Sequence, residues 1–297
     1  MPGYILMKRL VQNLVAGAGA GASFFPPAAS VRRVCILAYH RVAPIPFVDG
    51  SHDAWNVPPA VFARQAAFLA EFAHVIRLSE LPAFLEQPPS TVKPVVAITF
   101  DDGYANNLIY AYPWLERYGL PATFSVVTNC VDTPGPMPFD RWGRVNVSRA
   151  HASLWRPLSW DELDTAVASG LISVGGHSHT HPDPHAPGHP SYAEEVGRCR
   201  EALVSHYGPG VIAYTYPYGS SRLGFVTSDH VTAVRQAGFS LGLTTDLGLA
   251  EGLHDRLRLP RVEVLACDSP RVLRGKICGA LAPYALTASL RRSARTH

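Results

Sequence analysis

Val95-Val96-Ala97-Ile98-Thr99-Phe100-Asp101-Asp102-Gly103 runs from six uncharged, mostly apolar residues into two adjacent carboxylates and a glycine. A short apolar run rich in β-branched residues reads as a buried strand. Successive side chains of a strand point to opposite faces, so Asp101 and Asp102 cannot share a site while the strand continues. The strand therefore ends here, and Gly103 supplies the backbone freedom for a turn. One carboxylate is then free to bind a cation while the other faces substrate or water. An Asx turn or a helix N-cap accounts for most Asp-Asp-Gly triplets, and this segment alone leaves that alternative open.

Outward from this stretch the pattern recurs. Short apolar runs at Val34 to Tyr39, Thr123 to Val127, Leu171 to Val174, Val211 to Tyr216, Ser240 to Thr244 and Leu259 to Val264 alternate with longer segments of helical spacing. Pro59 to Phe72 is one such segment, and Ser159 with Glu162 three residues on opens another as a capping box. In Ser191 to Tyr207, Val196, Cys199 and Leu203 form the apolar side and Glu194, Glu195, Arg198 and Arg200 the polar side. Asp229 to Ala237, before Gly238, is a further helix. The alternation predicts an α/β fold with a mostly parallel sheet or barrel. Asp132 to Arg156, rich in proline, reads as a long surface loop bordering a pocket.

The polar residues collect at one place in this pattern. His40 follows the first strand, Asp101 and Asp102 the second, His177 the Leu171 run and Tyr218 the Val211 run. In barrels and open parallel sheets the C-terminal strand ends are where active sites are assembled. Gly175-Gly176-His177-Ser178-His179-Thr180-His181 adds two histidines four apart directly after a strand. With a single Asp they make a three-ligand set that leaves a coordination position open, the arrangement of a catalytic metal rather than a structural one. A solvated His-rich loop is the competing reading of the histidines taken alone, and Asp102 on a neighbouring strand end weighs against it.

These segments resemble the polysaccharide deacetylases of the NodB-homology type, carbohydrate esterase family 4. The resemblance runs from about Val34 to Val264 and rests on TFDDG at Thr99 to Gly103 and H-[ST]-x-x-H at His177 to His181, with a weaker Pro-Tyr segment at Tyr214 to Gly219. It implies a distorted (β/α)7-8 barrel and one divalent metal ion, usually Zn2+. The implied activity is hydrolysis of the N-acetyl group on amino sugars of a polysaccharide, oligosaccharide or lipid-linked glycan. Carried over, Asp102, His177 and His181 bind the metal, Asp101 is the general base and Tyr218 lends its backbone N–H to the oxyanion.

The sequence departs from the commonest family pattern: no Arg stands near the start of the Pro-Tyr segment, no Asp-x-x-Asp-Trp segment appears, and no late Leu-x-His is evident. His40 offers a replacement for the acid, since it resembles the N-terminal histidine of the circularly permuted deacetylases of biofilm-polysaccharide pathways; a strand-end histidine bonded to backbone is the alternative. Arg261 is the candidate for orienting Asp101, against a packing role, and His254 is an outside candidate for the acid. Trp114, Trp142, Trp155 and Trp160 are candidates for stacking on sugars or for core anchors, with Trp142 the best placed for substrate. A catalytically silent glycan-binding domain that kept the fold and metal is the rival reading, and the presence of Asp101 argues against it. The same chemistry on a non-sugar amide stays open.

The chain has 297 residues, 47% of them hydrophobic, enough to bury a large core. With 26 basic and 23 acidic residues its charge is too balanced to imply nucleic-acid binding. Residues 1–30 form an N-terminal arm, 31–268 the deacetylase domain, and 269–297 a basic helix or tail. The tail is a packed terminal helix with a frayed basic end, or a basic amphipathic helix making weak contact with a membrane surface. Five scattered cysteines read as buried thiols of a reducing compartment. Cytoplasmic location is therefore expected, with membrane association an option through the basic termini, and secretion or a periplasmic location is the alternative if residues 1–30 act as a signal.

Overall fold

The computed structural model describes residues 33–44, 55–87, 91–140, 144 and 154–281. The arm at 1–30, Trp142, and the basic residues Arg291, Arg292 and Arg295 lie outside them.

Seven strands close into a parallel barrel: β1 (Arg33–Tyr39), β2 (Val95–Phe100), β3 (Ala122–Val126), β4 (Ile172–Gly176), β5 (Ala213–Thr215), β6 (Leu241–Leu247) and β7 (Leu259–Glu263). Neighbours in sequence are neighbours in space, and β1 pairs with both β7 and β2, from Val34 opposite Val95 to Tyr39 opposite Phe100. This is the distorted (β/α) barrel of NodB type expected from the sequence. Four short strands add to the runs read from sequence: Arg41–Val42 and Asn56–Val57 pair with each other, His74–Ile76 runs beside the start of β2, and Ala250–Glu251 pairs antiparallel with the start of β1. At three and two residues they are too short to carry a periodicity.

Helices α1 (Pro59–Phe72), α2 (Leu81–Glu86), α3 (Tyr112–Tyr118), α4 (Trp160–Ala168), α5 (Tyr192–Tyr207), α6 (Ser228–Gln236) and α7 (Pro270–Ile277) surround the barrel. Ser159 and Glu162 form the expected capping box at α4. The buried residues separate by strand parity. Cys35, Leu37, Val96 and Ile98 join the helix residues Phe62, Leu69, Leu115 and Leu203 in the outer layer. Val34, Ile36, Val95, Ala97 and Leu259 fill the inside, with Leu81 and Leu85 of α2. Continuing the inward row of β2 two residues at a time leads through Thr99 to Asp101. The inward row of β7 leads from Leu259 to Arg261.

In α7, Leu273 and Ile277 are buried, and Lys276 donates to the carboxylate of Asp268 at 2.7 Å and to the backbone oxygen of Glu263 at 3.0 Å. The described part of the tail is thus the packed terminal helix. Among the described residues no helix is long and apolar enough to cross a membrane. All five cysteines are free, but only Cys35, Cys130 and Cys199 are buried; Cys267 is exposed and Cys278 half-buried, which corrects the expectation of five buried thiols.

Candidate active site

Asp101 and Asp102 leave the end of β2 as the strand stops. Asp102 and Gly103 adopt left-handed backbone, φ 73° and 80°, a conformation that breaks the alternation of a strand. At Gly103 a side chain would also be crowded, since a Cβ would stand 3.0 Å from Val126. The turn separates the two carboxylates as the sequence requires: Asp101 keeps the inward direction and Asp102 turns toward the histidines.

Arg261 closes on Asp101. Its Nη1 donates to Oδ1 at 2.8 Å and its Nη2 to Oδ2 at 2.7 Å, while Nη1 also reaches Thr99 Oγ1 at 3.1 Å and Nε donates to the Thr244 carbonyl at 2.8 Å. Both residues are 1% exposed. Burial alone raises the carboxyl's pKa, but the guanidinium outweighs it and holds Asp101 below the ordinary carboxylate range. His40 Nε2 lies 3.8 Å from Asp101 Oδ2 on the other side. The His40 ring stacks on Trp55, whose Nε1 donates to Glu263 at 3.3 Å, and its carbonyl accepts from Asn107 at 2.9 Å.

Asp102, His177 and His181 converge, with one ligand-type atom of each within 4.8 Å of the others. Asp102 Oδ1 is 3.3 Å from His177 Nε2 and 3.7 Å from His181 Nε2. Donors about 2.1 Å from a tetrahedral cation stand about 3.4 Å apart, so these two spacings are compatible with a metal ion held by the set. His177 Nδ1 lies 2.8 Å from the Thr215 carbonyl, an acceptor only; Nδ1 therefore carries a proton, and the neutral ring has its lone pair on Nε2, facing Asp102. Burial, reinforced by His177, pushes His181 down to about 4, which keeps it neutral and ready to ligate.

The loop carrying these histidines is held from behind. Glu195 Oε2 accepts from the backbone N–H groups of His179 at 3.0 Å and Thr180 at 2.7 Å, and Oε1 accepts from Thr180 Oγ1 at 2.8 Å. Glu195 is 1% exposed, which corrects its assignment to the polar side of the helix. Helical arithmetic carried the signal, because Glu195, Cys199 and Leu203 are four apart and share one stripe. The Pro-rich loop contributes Phe139, stacked on His181 with centroids 4.0 Å apart. Next to it Asp140 accepts from Arg41 at 3.1 Å and Tyr104 at 2.9 Å. Phe139, Trp55 and Glu195 carry no site signal in the sequence, since each reaches the site through tertiary contact rather than a strand end.

Tyr218, left-handed at φ 58°, places its ring 5.0 Å from that of His181. His254 is elsewhere: it bonds Glu251, on the strand paired with the first residues of β1. That is the opposite end of the barrel, about 20 Å of strand away, so His254 is no candidate for the acid. Trp155 is buried, while Trp114 and Trp160 are half-buried on helices α3 and α4.

The polysaccharide deacetylase family profile matches residues 89–242, just over half of the chain and both motif segments. The chain belongs to the polysaccharide deacetylase family. It is accordingly an amide hydrolase of the carbohydrate-esterase type. The poly-β-1,6-N-acetyl-D-glucosamine N-deacetylase of Staphylococcus epidermidis is 27% identical over 251 residues, covering 77% of this chain and 78% of that one. Among solved structures, the Streptococcus pyogenes deacetylase PplD, in complex with acetate, superposes with a TM-score of 0.66 at 22% identity, over 82% of this chain and 98% of that one. IcaB from Ammonifex degensii superposes with a TM-score of 0.61 at 24% identity, over 83% and 97%.

Proposed function

We propose that the chain removes N-acetyl groups from N-acetylhexosamine units of a glycan polymer, using one divalent cation, Zn2+ by its N/N/O donor set, and Asp101 as general base. The observation that carries this reading is the fork of Arg261 on a buried Asp101 beside the convergent Asp102, His177 and His181. A silent binding domain has no use for a buried, aligned and ionised carboxylate next to a metal set.

A cation held there supplies Lewis acidity, making water acidic and polarising an amide carbonyl. The residues do the rest. Asp101, kept ionised by Arg261, takes the proton of the attacking water. The backbone N–H of Tyr218, whose ring lies 5.0 Å from that of His181, donates to the oxygen that becomes negative. His40, 3.8 Å from Asp101 and fixed by Trp55, donates the proton that the departing amine needs. A β-1,6-linked N-acetylglucosamine polymer is the first substrate to try, on the strength of the staphylococcal relative. Cytoplasmic residence, or secretion if residues 1–30 act as a signal, completes the proposal and is read by fractionation.

The test is acetate release from β-1,4- and β-1,6-linked N-acetylglucosamine oligomers, with and without added Zn2+, for wild type and Asp101→Asn. Release by wild type alone, increased by metal, supports the reading. A metal-loaded protein that releases nothing from any of these substrates overturns it. If His40→Ala stays within a few-fold of wild-type kcat while His177→Ala is inactive, His40 is not the acid.

A further inference from the structure

Three parts of the site are each followed or preceded in sequence by a residue that meets the others at one buried carboxylate. Arg41 follows His40, Tyr104 follows the Asp101-Asp102-Gly103 turn, and Asp140 follows Phe139, whose ring is stacked on His181. Asp140 Oδ2 accepts from Arg41 Nη1 at 3.1 Å and from the Tyr104 hydroxyl at 2.9 Å, and the Arg41 guanidinium lies 5.4 Å from the centre of the Tyr104 ring. We propose that Asp140 is a positioning residue of the reaction: through Arg41 and Tyr104 it sets the proton donor, the carboxylate turn and His181 in one geometry. This rests on the deacetylase reading for the reaction that is served.

Each arm of the junction carries a piece of backbone. Arg41–Val42 pairs with Asn56–Val57, Arg41 opposite Asn56. That register sets the preceding residues, His40 and Trp55, side by side, and their rings stack with centroids 5.5 Å apart. The Val42 N–H donates to the Asn106 side-chain oxygen at 3.0 Å, and the Asn107 side chain donates to the His40 carbonyl at 2.9 Å. The small sheet and the segment after Tyr104 therefore move as one piece. In the Pro-rich loop, the Asp140 N–H donates to the Met137 carbonyl at 2.9 Å, and the Asp140 carbonyl accepts from the Arg144 N–H at 3.1 Å. These bonds fix the backbone that carries Phe139 to His181.

Arg41 is 4%, Tyr104 3% and Asp140 7% exposed, so water competes little for their bonds. A buried ion pair is a poor device for stability alone, because apolar side chains of similar volume commonly hold a core as well. Direction is what an apolar trio lacks. A carboxylate that accepts from two donors on different segments fixes their relative orientation, and a reaction that needs its groups within a fraction of an ångström uses that.

The test crosses stability with alignment. Arg41→Met, Tyr104→Phe and Asp140→Leu together replace the junction by apolar side chains, whereas Asp140→Asn keeps an oxygen able to stand where Oδ2 stands and loses the charge. Three quantities are read: the melting temperature of the metal-free protein, Zn2+ affinity by chelator competition, and a ratio of kcat values at saturating Zn2+. The ratio compares a β-1,6-linked N-acetylglucosamine pentamer with para-nitrophenyl acetate, whose leaving group needs no proton. The apolar variant should keep the wild-type melting temperature, bind Zn2+ roughly tenfold more weakly and show a roughly tenfold lower amide-to-ester ratio. Asp140→Asn should melt earlier and yet restore affinity and ratio to within about threefold of wild type. Wild-type affinity and ratio in the apolar variant overturn the proposal, as do losses in Asp140→Asn that follow its melting temperature. If the apolar variant does not fold, Asp140→Asn decides alone. No acetate from the pentamer with wild type overturns the deacetylase reading, and the Zn2+ affinities still decide whether Asp140 positions the site.

Discussion

Arg261 and Asp101 meet as two parallel charge-assisted hydrogen bonds, 2.8 and 2.7 Å, although 160 residues separate them in the chain. The guanidinium fork matches the carboxylate in a way that an ammonium cannot. Arg261→Lys keeps the charge and loses the alignment. Its kcat for acetate release is expected to fall on the order of 10–100-fold, with metal affinity little changed. Arg261→Met leaves Asp101 buried without a partner, and thermal denaturation should show a loss of about 3–5 kcal/mol. A lysine variant with wild-type kcat would rule out an orienting role.

Glu195 fixes the loop between the two metal-type histidines through two hydrogen bonds from backbone N–H groups and one from the Thr180 hydroxyl. An amide in its place can accept at only one of its two ends. Chelator competition should therefore show Glu195→Gln holding Zn2+ roughly 10–100-fold more weakly. Unchanged affinity would mean that the loop keeps its shape without the carboxylate.

Phe139 fixes the ring plane of His181, as a hydrogen bond at Nδ1 does for His177. His181 Nδ1 is buried and finds no hydrogen-bond partner among the described residues, whereas its ring lies 4.0 Å from that of Phe139, tilted by 17°. Phe139→Leu keeps an apolar side chain and removes the flat face. Zn2+ affinity should fall roughly tenfold, with Phe139→Tyr restoring it and the melting temperature of the metal-free protein moving little.

Arg156 and Glu162 give stability a pH dependence away from the site. Two bonds of 2.6 and 2.7 Å join them. The Arg156 contact, against partial burial, holds the Glu162 carboxyl below its ordinary value. A depressed carboxyl contributes stability above its unfolded pKa of about 4.3 and loses it as pH falls through the folded value. Glu162→Gln should therefore cost about 1 kcal/mol near pH 7 and progressively less below pH 4. A cost that stays constant down to pH 3 would show that the charge contributes nothing.

Much of the site was legible because strand ends are local events. An apolar run that stops at Asp101-Asp102-Gly103, and another that stops at His177, announce where side chains leave the barrel, whatever the rest of the chain does. The metal set and the base candidate follow from those two segments. The burial of Glu195 is not legible from its charge, because the carboxylate is buried only where backbone N–H groups from another segment meet it.

The sequence by itself determined the alternation of strand and helix, the rim on which the chemistry collects, and the residue types gathered there, since periodicity and turn chemistry act over a few residues. Only the tertiary structure decided which partners those residues have. Closure of β1 against both β2 and β7 brings Arg261 to Asp101 and His40 beside them, pairing of Ala250–Glu251 with the start of β1 sends His254 to the far end, and packing of the Pro-rich loop sets Phe139 on His181. The physical reason is that the direction of a side chain is inherited from its own strand, while its neighbours are set by which strands pair.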